Sequence, residues 1–330
     1  MQDFQAVQDF QEVDRKKMDL NRRTPIRMAK FLAVAVLSVT AALSFMDGMR
    51  AHEPNSVCGE GIEIFISSTG PMQGGVVMAE LRSPQPAAEL SGRWGKRDIF
   101  FWKVEGEENI YRALLGVDLH QALEPALLRV QVSMGEGRDW TCDSIISPQK
   151  GQYKVQHLNV DYKFVDLSAK DLARYRRDVA RTRKLWNTDT PEQLWQGEFR
   201  APLGDAKGSG SFGKLRVFNG KPRNPHTGED FPAVTGTPVY AAQRGRVVLA
   251  DDQFFSGNLV ILDHGLGLYT LYAHLSSIDV KEGEMAEAES IIGKVGATGR
   301  VTGAHLHWGI RLYGARVNPQ EVVKLLSSGN

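Results

Sequence analysis

The sequence predicts a mainly β protein in which two β domains are joined by a helix. The 330 residues are enough for two globular parts. Short apolar runs separated by Gly, Pro and Ser turns fill most of the chain, which is typical of antiparallel strands. One long stretch after Ser168 has helical spacing instead, and it separates the two groups of strands.

Composition and charge narrow the class of protein. The hydrophobic content of 42% is ordinary for a soluble protein, and the net charge of +1 gives no general attraction to nucleic acid. The changes of pattern along the chain divide it into four parts. They are a leader over 1–52, an accessory β-sandwich over 53–166, a helical linker over 167–200 and a second β domain over 201–330.

The leader has the layout of a secretory signal. An apolar run over 31–46 follows a basic segment that contains Arg22, Arg23, Arg27 and Lys30. The run is shorter than the roughly 20 residues that a membrane-spanning helix needs. A cleaved signal peptide and a single membrane tether therefore both stay open, and either one places the rest of the chain outside the cytoplasm.

Export gives meaning to the two cysteines, Cys58 and Cys142, which both belong to the accessory region. Outside the cytoplasm we expect a disulfide between them, and two buried free thiols are the alternative. Because the closed loop would be long, the disulfide would stabilise this region by about 3–5 kcal/mol.

The accessory region is predicted to be an immunoglobulin-like β-sandwich. Its short strands recur at regular spacing between turn residues. They are expected at 62–66, 76–81, 99–104, 113–117 and 127–132. His120 and His157 stand alone here, so the region has no candidate catalytic cluster.

The linker helix is predicted to begin at Ser168, with Asp171 three residues later as a capping pair. Its apolar stripe consists of Leu172, Tyr175, Val179 and Trp186, and arginines and a lysine make its outer surface basic. A solvated connecting helix is one interpretation. Attraction to anionic wall polymers or lipid head groups is the other.

The second β domain is predicted from short strands punctuated by glycine. They lie at 238–242, 246–250, 259–262, 268–275, 291–295 and 306–312, and a short closing helix follows at 322–326. The last strand has Leu306 and Trp308 on one face and His305 and His307 on the other. Two imidazoles so placed can bind one metal ion, or one can bind it while the other transfers protons. A polar face without metal is the alternative.

Further candidate ligands lie earlier in this domain. His226 and Asp230 are four apart in a predicted loop, where Gly228 would let the backbone fold back on itself. His274 is predicted on a strand face shared with Thr270 and Tyr272. We assign His264, at the end of an apolar run, a structural role.

Other hydrolase motifs are missing from the sequence. It contains no Gly-x-Ser-x-Gly elbow, no His-Glu-x-x-His helix and no phosphate-binding Gly-x-x-x-x-Gly-Lys loop. The serines at 209 and 211 are interpreted as part of a flexible loop. Histidine is therefore expected to do the proton work.

Five sequence blocks carry a family likeness. The segment from about 212 to 319 strongly resembles the lysostaphin-type zinc endopeptidases of bacterial cell walls, which have a duplicated hybrid motif fold. The matching blocks, in the order of the family, are 226–230, 236–242, 257–260, 269–275 and 298–307. Two positions depart from the usual pattern: Ala304 stands for Pro, and Ala288 stands for Gly.

The resemblance implies a site and an activity. His226, Asp230 and His307 would bind one Zn²⁺ ion, and His274 and His305 would act in catalysis. The chain would then be an exported endopeptidase, periplasmic or bound to the envelope, that hydrolyses peptide cross-links of peptidoglycan. The accessory domain would position, shield or dock the peptidase. Stem peptides would be its partners, and we expect a monomer.

Two other functions remain open at this point. The chain could be a non-catalytic wall-binding regulator of another peptidoglycan hydrolase, although it keeps the full ligand set. It could also be a zinc carboxypeptidase that trims stem peptides instead of cutting cross-links.

Overall fold

The computed structural model describes residues 54–186, 188, 190–204 and 206–327. The leader, with its predicted signal or tether, lies outside the described residues. Within the described ranges, no helix has both the length and the apolar character needed to cross a bilayer. The described chain belongs to one compact unit, Ala51–Asn330.

The accessory domain consists of two antiparallel sheets around one core, as a β-sandwich requires. The first sheet has the order β1-β2-β3-β7-β6, and the second has the order β5-β4-β8-β9. Their bounds are β1 Ser56–Cys58, β2 Ile62–Ile66, β3 Val76–Arg82, β4 Glu89–Trp94, β5 Arg97–Ile99, β6 Trp102–Lys103, β7 Ile110–Gly116, β8 Ala126–Ser133 and β9 Asp139–Ile146. Every second residue of β9 from Cys142 to Ile146 is buried, which is the pattern of a strand with one face in a core.

A disulfide links the two sheets. Cys58 on β1 is bonded to Cys142 on β9, and their Cα atoms are 5.5 Å apart. The predicted pairing is therefore present, and it closes the sandwich covalently.

One predicted strand of the sandwich was wrong. The segment 99–104 is not continuous: Arg97–Ile99 belongs to one sheet and Trp102–Lys103 to the other. The chain crosses between the sheets at Phe100 and Phe101, both partly buried. An apolar run cannot reveal such a crossing, because core-facing residues precede and follow it alike.

The linker helix α1, Ala169–Leu185, begins where the sequence predicted. The Oγ of Ser168 accepts a hydrogen bond from the backbone N–H of Asp171 at 3.1 Å. A 3₁₀ turn, Tyr162–Phe164, precedes the helix. Before it, strand β10, Val155–Leu158, pairs in parallel with β11, Leu215–Phe218, so the end of the accessory segment joins a small sheet of the second domain.

The second domain is built on a nine-stranded antiparallel sheet. Its strands are β13 Gly228–Pro232, β14 Pro238–Tyr240, β15 Gly245–Gln253, β16 Gly257–Asp263, β17 Leu268–Ile278, β18 Met285–Ala286, β19 Ile291–Val295, β20 His305–Leu312 and β21 Ala315–Val317. The small sheet adds β12, Lys221–Pro222, and the chain ends in helix α2, Pro319–Ser327. The mainly β prediction is confirmed, and the predicted strands of this domain differ from the observed ones mainly at their ends.

Strand β20 lies between β13 and β17 in the large sheet. Leu306, Trp308, Ile310 and Leu312 point into the core and are at most 1% exposed. The period-two prediction for this strand is therefore correct, and it fixes the direction of the intervening side chains.

The accessory domain packs at the end of β20 that is farther from His305. There Arg316 forms a two-pronged ion pair with Asp118, and the hydroxyl of Tyr313 accepts a hydrogen bond from the N–H of Phe100 at 2.8 Å. Glu321 on α2 accepts a hydrogen bond from the backbone N–H of Val76 at 3.1 Å. This contact leaves the beginning of β20 free of the sandwich.

Candidate metal centre

Three side chains converge beside the beginning of strand β20. Strands β13 and β20 pair with Asp230 directly opposite His307, so both side chains leave the sheet on the same face. His307 Nδ1 is 2.9 Å from Asp230 Oδ1 and 2.8 Å from His226 Nε2. His226 Nε2 is 3.0 Å from the same carboxylate oxygen. We call these three residues the His–Asp–His triad.

The triad fits a bound metal ion. Two ring nitrogens and one carboxylate oxygen meet at a single point, within 3.0 Å of one another. One cation satisfies all three lone pairs at once. Two imidazoles and a carboxylate are a donor set of catalytic zinc sites, which leave a further position for water.

Ser211 forms hydrogen bonds with two members of the triad. Its carbonyl oxygen accepts a hydrogen bond from His226 Nδ1 at 3.1 Å, which leaves His226 Nε2 with its lone pair directed at the triad. Its Oγ accepts a hydrogen bond from the backbone N–H of Asp230 at 2.8 Å. Ser211 is buried, so the flexible-loop interpretation of this serine was wrong. Isolated small polar residues give no sequence signal for such a role.

Asp230 lies on strand β13 and not in the predicted loop. Pairing with the buried strand β20 outweighs the turn preference of the preceding Pro and Gly residues. Gly228 is not in the left-handed region. A Cβ on it would lie 2.7 Å from His307 Cε1 and 2.5 Å from the carbonyl oxygen of Trp308. This glycine therefore makes room for the His307 ring.

His274 reaches the site through a distortion of β17. By strand alternation it would follow Thr270 and Tyr272 into the core, where both are fully buried. Its φ of +66° is in the left-handed region, and it turns the side chain toward the triad instead. The ring lies 4.9 Å from that of His305 and 5.9 Å from that of His307. The predicted shared strand face was wrong, and the ring lies beside the triad instead of in the core.

His305 completes the cluster. Its Nδ1 donates a hydrogen bond to the carbonyl oxygen of Gly303 at 2.9 Å, and its Nε2 lies 3.7 Å from Asp230 Oδ1. His274 Nδ1 donates in the same way to Thr298, at 2.9 Å. In both rings the Nε2 atom is thus the one available to the site. All five residues that the sequence singled out lie together.

His264 is the histidine to which the sequence assigned a structural role. It is fully buried, and its ring nitrogens bond to the carbonyl of Arg244 and the hydroxyl of Thr270, each at 2.8 Å. Both nitrogens are occupied within the protein, in agreement with that assignment.

Burial and neighbouring charges set the protonation of the triad. Burial lowers the pKa of His226 to about 4, so its ring is neutral at neutral pH. Burial alone would raise the pKa of Asp230, but its close contacts with the rings of His226 and His307 outweigh it and hold that pKa well below its usual range. Burial, with the nearby charges of His307 and His305, also lowers the pKa of His274 well below 6.5. A neutral imidazole and an ionised carboxylate are the forms that bind metal.

Helix α1 lies across the face of the sheet that carries the triad. Tyr175 packs against Phe255 at 4.9 Å, and Trp186 packs against Tyr269 at 5.4 Å. A cavity of about 210 Å³ remains between the helix and the sheet, and His307 forms part of its wall. The apolar stripe of the linker therefore faces the sheet.

Helix α1 also forms ion pairs with the second domain. Arg174 pairs with Asp252 at 2.8 Å, and Arg181 pairs with Asp251 and Glu282 at 2.5 Å. Two residues of the predicted solvated basic surface are thus engaged with the second domain. These ion pairs are well exposed, so each contributes at most about 1 kcal/mol.

A β domain in which a His–Asp–His triad is flanked by two further histidines has the arrangement of a metallopeptidase site. Residues 224–319 match the model of Peptidase family M23, and the chain therefore contains a peptidase M23 domain. The likeness predicted from the five sequence blocks is confirmed.

Named relatives match stretches of similar length. The Vibrio cholerae peptidoglycan DD-endopeptidase ShyA is 45% identical over 94 residues, which are 28% of this chain and 22% of that protein. The Neisseria meningitidis DD-carboxypeptidase/endopeptidase Mpg is 45% identical over 97 residues, 29% of this chain and 22% of that protein. The match thus spans about a fifth of the length of these relatives.

A solved structure extends the likeness beyond the peptidase domain. A crystal structure from Pseudomonas aeruginosa, described as a candidate peptidase M23, superposes with a TM-score of 0.59 at 28% identity. The superposition covers 77% of this chain and 95% of that chain. The accessory and peptidase domains therefore occur together in a second protein.

Proposed function

We propose that this chain is a zinc-dependent endopeptidase that hydrolyses peptide cross-links of peptidoglycan. The observation that carries the proposal is the approach of His226, Asp230 and His307 to within 3.0 Å of one another in an M23 domain. These three residues would hold one Zn²⁺ ion. The substrate class is supported by the names of the relatives, which describe peptidoglycan DD-endopeptidases.

When bound, zinc lowers the pKa of a water ligand from about 15.7 toward about 7 and polarises a substrate carbonyl. The chain supplies the proton transfers. His274 and His305 each present Nε2 to the site, because their Nδ1 atoms donate to backbone carbonyls. Either ring can accept a proton at Nε2 from the attacking water, and the protonated ring can then donate to the oxyanion or to the leaving amine.

The neighbouring Glu229 is unsuited to the role of general base. It is 1% exposed, and its Oε1 accepts a hydrogen bond from the backbone N–H of Ser211 at 3.1 Å. Its carboxylate is thus committed to the loop that supports the triad. This supports the expectation that histidines carry the protons.

Trimming of stem peptides is the second candidate function. It is favoured by the relative named DD-carboxypeptidase/endopeptidase, since the same metal site could release a terminal residue. The Cys58–Cys142 disulfide and the cell-wall names of the relatives support a location outside the cytoplasm. Cleavage of the leader, a membrane tether and the monomeric state remain predictions.

The test is digestion of purified peptidoglycan followed by mass spectrometry of the fragments. We expect cross-linked dimers to become monomers, the reaction to stop with a zinc chelator, and activity to return when zinc is added. Shortened stems with unchanged dimers would support the carboxypeptidase instead. Zinc-loaded protein that changes neither product would refute both candidates.

A further inference from the structure

Three guanidinium groups gather beside the triad, and we call them the arginine cluster: Arg216, Arg223 and Arg300. The first two are neighbours on the β11–β12 hairpin, where the N–H of Arg223 donates to the carbonyl of Arg216 at 2.8 Å. The third comes from the loop before β20. The Cζ atoms of Arg216 and Arg300 lie 6.0 Å and 4.9 Å from the ring of Phe218, so both guanidinium groups lie near the same aromatic ring.

The cluster has more positive charge than the described protein compensates. Among the side chains that the structure describes, its one carboxylate contact is from Arg216 Nη2 to Asp230 Oδ2, at 3.2 Å. That carboxylate already serves two histidines of the triad. Arg223 donates instead to the carbonyl of Val165, at 3.2 Å. The Nε of Arg216 is buried and has no hydrogen-bond partner. Buried donors are almost always paired, so this one points to a missing acceptor.

Arg300 is held in place without an anionic partner in the described residues. Its Cζ lies 4.1 Å from the ring of Phe255 and 4.9 Å from that of Phe218. Aromatic contacts of this kind fix the plane of a guanidinium group. Burial, reinforced by the charges of Arg216 and Arg223, lowers the pKa of Arg300 to about 10, so the group is still charged at neutral pH. A planar, oriented, charged fork is suited to a carboxylate, which it can bind through two parallel hydrogen bonds.

We propose that the arginine cluster binds the free carboxylate of the substrate residue next to the cleaved bond. The inference rests on the proposed function for the identity of the substrate. At the end of a DD-peptide, the Cα of the last residue is bonded to the nitrogen of the cleaved amide, and the same carbon carries a free carboxylate. Arg216 Nη2 lies 3.2 Å from Asp230 Oδ2, so the cluster adjoins the residues proposed to hold the metal, beside which the cleaved bond would lie. The same contact would serve a terminal residue and a cross-link with a free carboxylate at this carbon.

The first test measures binding to metal-free protein, so that a carboxylate cannot bind zinc instead. The probes are N-acetyl-D-alanyl-D-alanine and its C-terminal amide, titrated by NMR chemical-shift changes. We expect the carboxylate probe to bind about tenfold more tightly, or better, because hydrogen bonds to charged groups are the strong ones. Arg300→Gln should reduce this ratio to about twofold or less, and Arg300→Lys should give an intermediate value.

The matched control is Arg246→Gln, which removes an exposed arginine on β15 of the same domain. It should keep the wild-type preference. Equal binding of both probes to the wild type would overturn the proposal. An unchanged preference in Arg300→Gln would overturn it as well.

A second test compares hydrolysis of the same two peptides by zinc-loaded protein. If the cluster binds this carboxylate, Arg300→Gln should lower the ratio of kcat/KM for the carboxylate peptide to that for the amide peptide about fivefold or more, mainly through KM. Cleavage of both peptides with equal kcat/KM by the wild type would overturn the subsite and leave the peptidase proposal intact. Cleavage of neither peptide and of no peptidoglycan, with probe discrimination retained, would overturn the peptidase proposal and support the subsite.

Discussion

The two ends of strand β20 differ in the groups that surround them. At its beginning, His305 and His307 join a cluster of ring nitrogens and a carboxylate that could hold a metal ion. Beyond its end, Tyr313 and Arg316 form hydrogen bonds with the accessory domain. The candidate metal ligands mark the end suited to chemistry, and the pairs with the accessory domain mark the end suited to docking. Substitutions at the two ends should therefore affect different quantities.

The largest effects are expected from the two histidines of β20. His307→Ala removes a proposed ligand, so the purified protein should lose most of its zinc and all measurable hydrolysis. His305→Ala should keep the zinc and reduce hydrolysis by about 10²–10⁴-fold, the usual contribution of a general acid or base. Metal analysis and muropeptide digestion measure the two quantities separately.

His157→Ala is the control for this pair, since it removes an exposed histidine on β10, and it should change neither quantity. Unchanged zinc content in His307→Ala would contradict the ligand assignment.

Gly228→Ala tests how tightly the triad is packed. The new Cβ would lie 2.7 Å from the His307 ring and 2.5 Å from backbone, so the ring must move. We expect zinc affinity to fall about 10–100-fold, as when the support of a ligand is removed, with circular dichroism unchanged.

Gly309→Ala is the matched control, because Gly309 is the residue paired with Gly228 across β13 and β20. Its Cβ would meet no atom nearer than 3.5 Å. If both variants bound zinc equally well, crowding at His307 would not be the reason for the glycine.

At the docking end, Asp118→Asn should change stability and not chemistry. It removes the charge that pairs with Arg316, which costs about 2 kcal/mol, or about 3 °C in Tm for a chain of 330 residues. Hydrolysis at a temperature well below Tm should stay at the wild-type level.

Asp98→Asn is a suitable control, since this carboxylate is 79% exposed and its ion pair with Arg93 is long, at 3.7 Å. It should shift Tm by much less. A loss of activity in Asp118→Asn at low temperature would show that the two ends are coupled.

The smallest effect concerns the pH dependence of the docking end. Burial would raise the pKa of Asp118, but the hydrogen bonds from Arg316 outweigh it and lower that pKa below 3.8. A carboxyl group with a lowered pKa stabilises the fold above its unfolded pKa, and this contribution is lost as the pH falls through the folded value. The difference in Tm between wild type and Asp118→Asn should therefore be constant above about pH 5 and shrink below pH 3.8. A difference that is independent of pH down to 2.5 would contradict this.

Much of this molecule could be predicted from the sequence, because a strong periodic signal on β20 coincides with burial and a capping pair marks the beginning of α1. The alternation from Leu306 to Leu312 fixed both the core face of β20 and the direction of its histidines. The pair Ser168 and Asp171 marked the beginning of α1, since capping depends only on local residues. The five candidate site residues were proposed from spacing and family likeness together, and the structure places them close to one another.

What could not be predicted depends on contacts between distant segments. Ser211 supports the triad through backbone and hydroxyl groups that any serine has. Arg300 stood inside a recognised sequence block, but its neighbours Arg216 and Phe255 are distant in sequence. His274 escapes strand alternation because of a local backbone distortion, which period-two patterns cannot encode.

The left-handed backbone at His274 lowers the stability of the fold, and it also positions a ring that is proposed to act in catalysis. A residue with a side chain in this region costs about 1–3 kcal/mol, which glycine would avoid. The most robust version of this fold is therefore not the working one. Selection for thermal stability alone should therefore favour glycine at this position. That substitution would remove one of the two rings proposed to carry protons.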